Sequence, residues 1–256
     1  MENSNYCFCT LALGKRYQEH AVNLAQDLTQ YAPTIKIVVY TDGPDRFSSC
    51  ENVLPFYHRQ KGILNCFHDK RFALEKALSL YSTAIFIDAD TRVSAPVPEG
   101  IAWEPGITSN GENLQEHISR FAPERLAAIN DVSQKMDINL SKASWIADAL
   151  FAVSRGSGKE HEFFDAWGRI GLYMELKGIH AGQGNVTGLA AESVGWKLNS
   201  PSNWEELRHW AKHFDASKDK TRRRGIRERV ERKLGYYARL STAKVKSLKD
   251  FDFYYR

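Results

Sequence analysis

Two acidic residues, Asp88 and Asp90, stand one residue apart directly after the apolar run from Ala84 to Ile87. In an extended chain, residues i and i+2 point to the same side, so the two carboxylates would share one surface. Paired oxygen donors suit Mn²⁺ or Mg²⁺, which in turn can hold the phosphates of a substrate. Open α/β sheets bind ligands at the carboxyl ends of their strands, where this pair would lie. The pattern predicts a site for a metal and a diphosphate; the alternative is a solvated turn after a strand.

The first part of the chain alternates apolar runs with amphipathic segments, as the elements of an α/β sheet do. Apolar runs predict strands over 6–13, 35–40 and 84–87, and helical spacing of apolar residues predicts helices within 21–28 and 74–81. The segment around Pro55 has no clear period and is interpreted as a loose connection. This alternation predicts a largely parallel sheet covered by helices.

The second part of the chain is less regular. Between 96 and 144 it is rich in Pro, Gly, Asn and charge, with a helix expected near 123–129. A strand is expected over 145–153, interrupted by Asp148, and then a helix over 162–176 and a Gly-rich loop over 179–185. Ser202 to Glu205 fits a capping box, and helical spacing continues to Phe214. On that interpretation His213 simply lies on one exposed helical face.

Several short motifs follow one another between residue 6 and about residue 218. They are Cys9-Thr10-Leu11-Ala12 through Tyr17, Thr41-Asp42, a basic residue before the helix that leads to Ile87-Asp88-Ala89-Asp90, and His213-Phe214 followed by Lys218. In this order they resemble the GT-A nucleotide-sugar glycosyltransferases, most nearly the family-eight type of retaining galactosyl- and glucosyltransferases. The resemblance implies a GT-A-like, Rossmann-type α/β catalytic domain over 1–217, with a mixed, mostly parallel sheet flanked by helices. Its donor-binding half would cover about 1–95 and its acceptor half about 96–217.

The resemblance also assigns roles around a bound metal. It implies Asp90 as the principal ligand, His213 as a late ligand, and Asp88 as a ligand of the metal or the ribose. Arg71 would hold ribose or phosphate, and Lys218 the leaving diphosphate. The remaining donor-binding positions that it implies are Thr10, Leu11, Ala12, Tyr17, Asp42 and Ala89. The late motif of the family is His-Phe-x-Gly followed by Lys-Pro-Trp, and this chain departs from it after Phe214.

Two further positions match the sugar-facing motifs of the family in part. The family has Asn-Ala-Gly and Asp-Gln-Asp, where this chain has Ala147-Asp148-Ala149 and Gly182-Gln183-Gly184. The resemblance places Gln183 near the sugar. Asp148 is the carboxylate left to contact the sugar or, in an inverting enzyme, to act as general base. For the Gly-rich segment the alternative is an ordinary loop that caps a helix.

Charge is distributed unevenly along the chain. The formal net charge is +4, but the stretch from Lys218 to Lys249 holds thirteen Lys or Arg against three acids. Within it, an apolar stripe is flanked by seven basic residues: Ile226, Val230, Leu234 and Tyr237, with Arg222, Arg223, Arg224, Arg227, Arg229, Arg232 and Lys233. This composition predicts that 218–256 is a basic amphipathic helical tail that lies on an anionic membrane surface. A solvated helix packed on the body and a nucleic-acid-binding helix are the alternatives.

Together these features predict an enzyme that moves a hexose from a nucleotide-diphosphate sugar, UDP-linked, to a saccharide or lipid-linked saccharide, with Mn²⁺ or Mg²⁺ as cofactor. No secretory signal or membrane-spanning run is recognised, so a cytoplasmic location, peripheral at the inner leaflet, is expected. The four cysteines lack the spacing of a zinc site and are expected as free thiols. Three alternatives stay open: a phosphatase or a nucleotidyltransferase that uses Asp88 and Asp90, and a non-enzymatic protein that binds membrane or nucleic acid.

Overall fold

The computed structural model describes residues 5–98, 100–216 and 225–256. The first part follows the predicted alternation of strands and helices. Its elements are β1 (Tyr6–Ala12), α1 (Lys15–Tyr31), β2 (Ile37–Thr41), β3 (Val53–Tyr57), α2 (Lys70–Leu80), β4 (Thr83–Ile87) and β5 (Thr91–Val93).

The second part adds short strands and longer helices. They are β6 (Gly106–Thr108), β7 (Gly111–Asn113), α3 (Leu114–Phe121), α4 (Leu126–Lys135), β8 (Ser144–Ile146), β9 (Leu150–Ser154), α5 (Glu160–Leu176), α6 (Gln183–Ser193), β10 (Leu198–Asn199), α7 (Ser202–Trp210), β11 (Ala211–His213), α8 (Ile226–Ser247) and α9 (Phe251–Tyr255).

Seven strands form the central sheet in the order β10-β6-β9-β4-β1-β2-β3. Strand β9 is antiparallel to β4 and to β6, and the other neighbouring pairs are parallel. Two small antiparallel sheets, β5 with β11 and β7 with β8, lie beside it. This is the predicted fold class: a mixed, mostly parallel sheet flanked by helices, with a helical carboxyl-terminal tail.

Helices cover both faces of the sheet because alternate side chains of a strand point to opposite sides. Cys7 and Cys9 of β1 pack in the same core cluster as residues of α2 and α5. Phe8 and Ala12 pack in a second cluster with α1. All four cysteines are free thiols, as expected: Cys7 and Cys9 in β1, and Cys50 and Cys66 in loops. Packing on both faces holds the carboxyl end of β4 in place.

The prediction of a loose connection around Pro55 is wrong, because this residue lies within β3. β3 is the edge strand of the sheet, and proline is tolerated there because one side of an edge strand needs no ladder hydrogen bonds. The region 96–144 holds more structure than expected, since β6 and β7 are too short to produce a sequence period.

The described part of the predicted helical tail consists mainly of α8, with the short α9 after it. Arg239 Nε donates a hydrogen bond to the carbonyl of Ile63 at 3.1 Å, and Arg169 forms an ion pair with Asp250 at 2.6 Å. These contacts join the tail to the body, and the proposed boundary at 217/218 lies in the stretch outside the described residues.

Candidate active site

The acidic pair lies in the turn that follows β4. The backbone N–H of Asp88 donates to the carbonyl of Ala149 at 2.9 Å, which continues the pairing of β4 with β9 past the end of the strand. The N–H of Thr91 then donates to the carbonyl of Asp88 at 3.0 Å and closes the turn. Ala89, between the two acids, is buried. The pair therefore has a fixed backbone at the carboxyl end of a central strand.

His213 reaches this turn from a distant part of the chain. It lies on β11, which pairs antiparallel with β5 so that His213 stands opposite Thr91. Its Nε2 is 3.2 Å from Asp90 Oδ1 and 3.7 Å from Asp88 Oδ2. The three side chains offer ligand atoms that all lie within 4.8 Å of one another.

The alternative prediction, that His213 lies on an exposed face of a helix, is wrong. Helix α7 ends at Trp210, and the chain then becomes extended to pair with β5. The predicted capping box does not form either, since no side chain caps the helix and Pro201 stands at its N-cap. Tertiary strand pairing outweighs the local helical spacing here.

Burial and hydrogen bonds together set the pKa values of Asp88, Asp90 and His213. Burial alone would raise the pKa of Asp90, but hydrogen bonds from His213 and from the Ala216 N–H, the latter at 2.7 Å, lower it to about 2. Burial raises the pKa of Asp88 to about 6, against the opposing pull of Lys70. The hydrogen bond to Asp90 raises the pKa of His213. At neutral pH the site therefore presents two carboxylates to a cation.

Lys70 is the site residue that the sequence reasoning missed. Its buried Nζ lies 2.7 Å from Asp88 Oδ1 and donates to the carbonyl of Asp148 at 2.9 Å. Burial acts to lower the pKa of Lys70, but the carboxylates of Asp88 and Asp148 outweigh it and raise that pKa. Arg71, which the resemblance implied as a contact for ribose or phosphate, lies over the Phe72 ring at 4.0 Å.

A sequence signal for this difference exists. Lys70 stands four residues before Leu74 and seven before Ala77, so it is in phase with the buried stripe of α2. Arg71, three residues before Leu74 and seven before Leu78, lies at the edge of this stripe, and its guanidinium reaches Gly168 on α5. The role of Arg71 in holding ribose or phosphate stays a prediction.

Asp148 and Gln183 lie on two other elements, and of the two only Asp148 has an interaction with the described residues of this site. Asp148 is half-buried in the turn between β8 and β9, and its charge acts on both Lys70 and Asp88. Gln183 is the first residue of α6, and its buried side-chain amide has no hydrogen-bond partner among the described residues. Buried polar groups are normally paired, so an orphaned amide is a candidate contact for a ligand.

The donor-binding residues expected in β1 are at its carboxyl end, where Thr10 and Ala12 are fully buried and Leu11 nearly so. Burial raises the pKa of Tyr17, and the charges of Asp90 and Asp88 add to this, which places the phenol near the acids.

Asp42, at the end of β2, accepts hydrogen bonds from the Gly14 N–H at 2.8 Å and from Gln18 Nε2 at 2.7 Å. Its carboxylate thus ties β2 to the start of α1. Lys218 lies outside the described residues. The donor contacts of all these positions stay predictions.

No family model matches the sequence, and no curated protein matches it. Solved structures do resemble the fold. The apo structure of the bifunctional glycosyltransferase WbbM has a TM-score of 0.53 at 12% identity, covering 83% of this chain and 46% of WbbM. The galactosyltransferase LgtC, in complex with donor and acceptor sugar analogues, has a TM-score of 0.50 at 11% identity, covering 75% of this chain and 72% of LgtC. The chain thus spans less than half the length of WbbM. At these identities the likeness concerns the fold, and that fold is the GT-A fold of glycosyltransferases.

Proposed function

We propose that the protein is a metal-dependent glycosyltransferase that transfers a hexose from a nucleotide-diphosphate sugar, UDP-linked, to a saccharide or lipid-linked saccharide. The observation that carries the proposal is the convergence of Asp88, Asp90 and His213 at the carboxyl end of β4. The donor and acceptor sugar analogues bound to LgtC support sugar substrates for a chain of this fold. The family-eight assignment and a retaining outcome belong to the same proposal and rest on analogy.

The donor set fits a divalent cation. Two carboxylates and one imidazole lie close enough to share one ion, and Asp90 stays ionised because its pKa is lowered. Oxygen ligands suit Mn²⁺ and Mg²⁺, so we propose Mn²⁺, with Mg²⁺ as the substitute. When bound, the ion would neutralise charge that develops on the departing nucleoside diphosphate.

The neighbouring residues supply position and charge. Lys70 holds the Asp88 carboxylate by a 2.7 Å contact and fixes the β8–β9 turn through the carbonyl of Asp148. We propose that this turn presents the Asp148 carboxylate to the sugar, or to the acceptor hydroxyl as general base if the enzyme inverts. Gln183 would give its unpaired amide to a sugar hydroxyl. Lys218 remains the proposed contact for the leaving diphosphate, and Arg71 the proposed contact for ribose or phosphate.

A panel of nucleotide sugars tests this function, with thermal unfolding recorded with and without Mn²⁺. A ligand that binds the folded state raises the midpoint by mass action. We expect a rise that needs both Mn²⁺ and a UDP-sugar, together with slow donor hydrolysis.

Two variants complete that test. Both signals should be lost in Asp90→Asn and kept in Asp165→Asn, a matched change at an exposed aspartate on α5. Donor hydrolysis that persists in Asp90→Asn with the same need for Mn²⁺ would place the metal elsewhere.

A further inference from the structure

Large apolar side chains are exposed in unusual number on the carboxyl-terminal helices. Of the fourteen such side chains in the described part of the chain, eight lie within 226–256. They include Ile226 at 81% exposure, Val230 at 51%, Leu234 at 65% and Tyr237 at 53%. On α8 these four, with Val245, follow the spacing i, i+4, i+8, i+11 and i+19, so they share one side of the helix. We call these five residues the outer stripe.

The outer stripe is not needed to hold α8 on the body, because a different side of the helix does so. Ala243 and Ser247 are buried, and Arg239 donates its hydrogen bond to Ile63. The ring of Tyr236 meets that of His180 at a centroid distance of 6.5 Å. An anchored helix that exposes a second apolar side offers that side to something outside the fold.

Basic side chains surround the outer stripe. Arg229, Lys233 and Lys244 are exposed on α8, and Lys249 follows in the short turn after it. Arg227 is also exposed and is partly neutralised by Glu231 at 2.8 Å. A narrow apolar stripe with cations along its edges is complementary to a surface that is negative at the headgroups and apolar just beneath. No helix of the described residues is long and apolar enough to cross a bilayer.

We propose that the outer stripe docks α8 on an anionic membrane, with the helix lying in the plane of the lipid headgroups. Its apolar side chains would enter the headgroup boundary, and Lys233 and Lys244 would extend their ammonium groups to lipid phosphates.

The body side of α8 touches His180, three residues before Gln183. Docking would therefore hold the proposed sugar-binding segment near the membrane, where a lipid-linked acceptor is found. Only this last step rests on the proposed function.

Vesicle co-sedimentation of the full chain, without any nucleotide sugar, tests the docking. We expect binding to vesicles of phosphatidylglycerol and phosphatidylcholine that weakens as salt rises, and little binding to phosphatidylcholine alone. Leu234→Asp should lower the partition coefficient at least about tenfold. Its matched control is Leu80→Asp, at an exposed leucine that ends α2 (46% exposed), and it should bind as the parent does.

A second pair of variants tests whether vesicle binding depends on the charges beside the outer stripe or only on the net charge of the protein. Lys233→Glu and Lys142→Glu change the net charge equally, and both lysines are exposed. We expect Lys233→Glu to weaken vesicle binding several-fold and Lys142→Glu to leave it nearly unchanged. Equal effects would show that binding is diffuse and would overturn a dedicated surface.

Three other outcomes would also overturn the proposal. One is equal binding to neutral and anionic vesicles, and another is tighter salt-sensitive binding to RNA or DNA than to anionic vesicles. The third is a dimer that Leu234→Asp dissociates in a protein that does not bind vesicles, since the stripe would then face a second copy. Because the assay contains no donor, loss of transferase activity would leave the docking result standing, and the reverse also holds.

Discussion

Asp90 is the most sensitive point of the proposed site, and Asp90→Asn isolates its charge. The substitution keeps an oxygen that can accept the hydrogen bond from the Ala216 N–H, now 2.7 Å from Asp90 Oδ2. It removes the anionic oxygen that lies 3.2 Å from His213 Nε2 and that would bind the metal. We expect turnover to fall by a factor on the order of a hundred or more, or roughly 3 kcal/mol of transition-state stabilisation.

The lowered pKa of Asp90 gives the scale of the cost of this substitution to folding. The pKa of Asp90 is lowered from 3.8 to about 2, so its ionised form stabilises the fold above about pH 4 and loses this effect as pH falls through 2. That shift corresponds to about 2.5 kcal/mol at pH 7 in the metal-free protein. The variant should thus unfold at lower urea but remain folded at ordinary temperature.

Three measurements on one preparation check this reasoning: urea unfolding without metal, thermal unfolding with Mn²⁺ and a UDP-sugar, and donor turnover. We expect a modest stability loss, no ligand-dependent rise in the midpoint, and turnover at least a hundredfold below the parent. Near-parental turnover that still requires Mn²⁺ would refute the assignment of Asp90. A variant that does not fold would contradict the expected modest loss of stability.

Three further predictions concern other buried or coordinating groups. His213→Ala should raise the Mn²⁺ concentration for half-maximal activity at neutral pH, and the difference from the parent should shrink at low pH, where protonation removes the imidazole as a ligand in the parent as well. His209→Ala, at an exposed position on α7, should leave that concentration unchanged, and equal mild effects of the two substitutions in metal titrations would exclude His213 as a ligand. Lys70→Met should lower the free energy of unfolding by roughly 1–3 kcal/mol in urea titrations because it leaves the half-buried Asp88 carboxylate without its cation, and a similar loss in Arg71→Met would contradict this. Burial raises the pKa of Glu175 to about 7, so its stabilising proton is retained at low pH and lost as pH rises through 7. Glu175→Gln should therefore raise the free energy of unfolding by up to roughly 3 kcal/mol at pH 8 and change it little near pH 4.5, and a pH-independent effect in urea titrations would count against the burial argument.

The acidic pair could be found from the sequence because its signal is local. An apolar run that ends in Asp88 and Asp90 needs only the strand period and the rule for ligand sites in α/β sheets. The fold class could be predicted for the same reason, because the alternation of strands and helices is also read from local patterns. Pro55 was missed because edge position, which makes a proline acceptable in a strand, is a property of the whole sheet.

The placement of His213 could not be predicted from local pattern. A strand of three residues has no measurable period, and the apolar spacing up to Phe214 favours a helix. The pairing of His213 with Thr91 decides the conformation, and that pairing exists only in the folded protein. Lys70 could have been identified from the sequence, because it lies four residues before Leu74 on the same helical face and therefore points toward the sheet.

The two hydrogen bonds that Asp90 accepts from a late part of the chain have a consequence for biosynthesis. Its backbone carbonyl accepts from Phe214 at 3.1 Å, and its carboxylate accepts from Ala216, 126 residues further along the chain. Six of the seven strands of the central sheet, β1 to β4, β6 and β9, precede residue 155 and are therefore synthesised before either donor. The proposed metal site would still lack His213 at that stage. If Asp88, Asp90 and His213 bind the metal as proposed, the site and its support from Ala216 can be complete only after translation has passed residue 216.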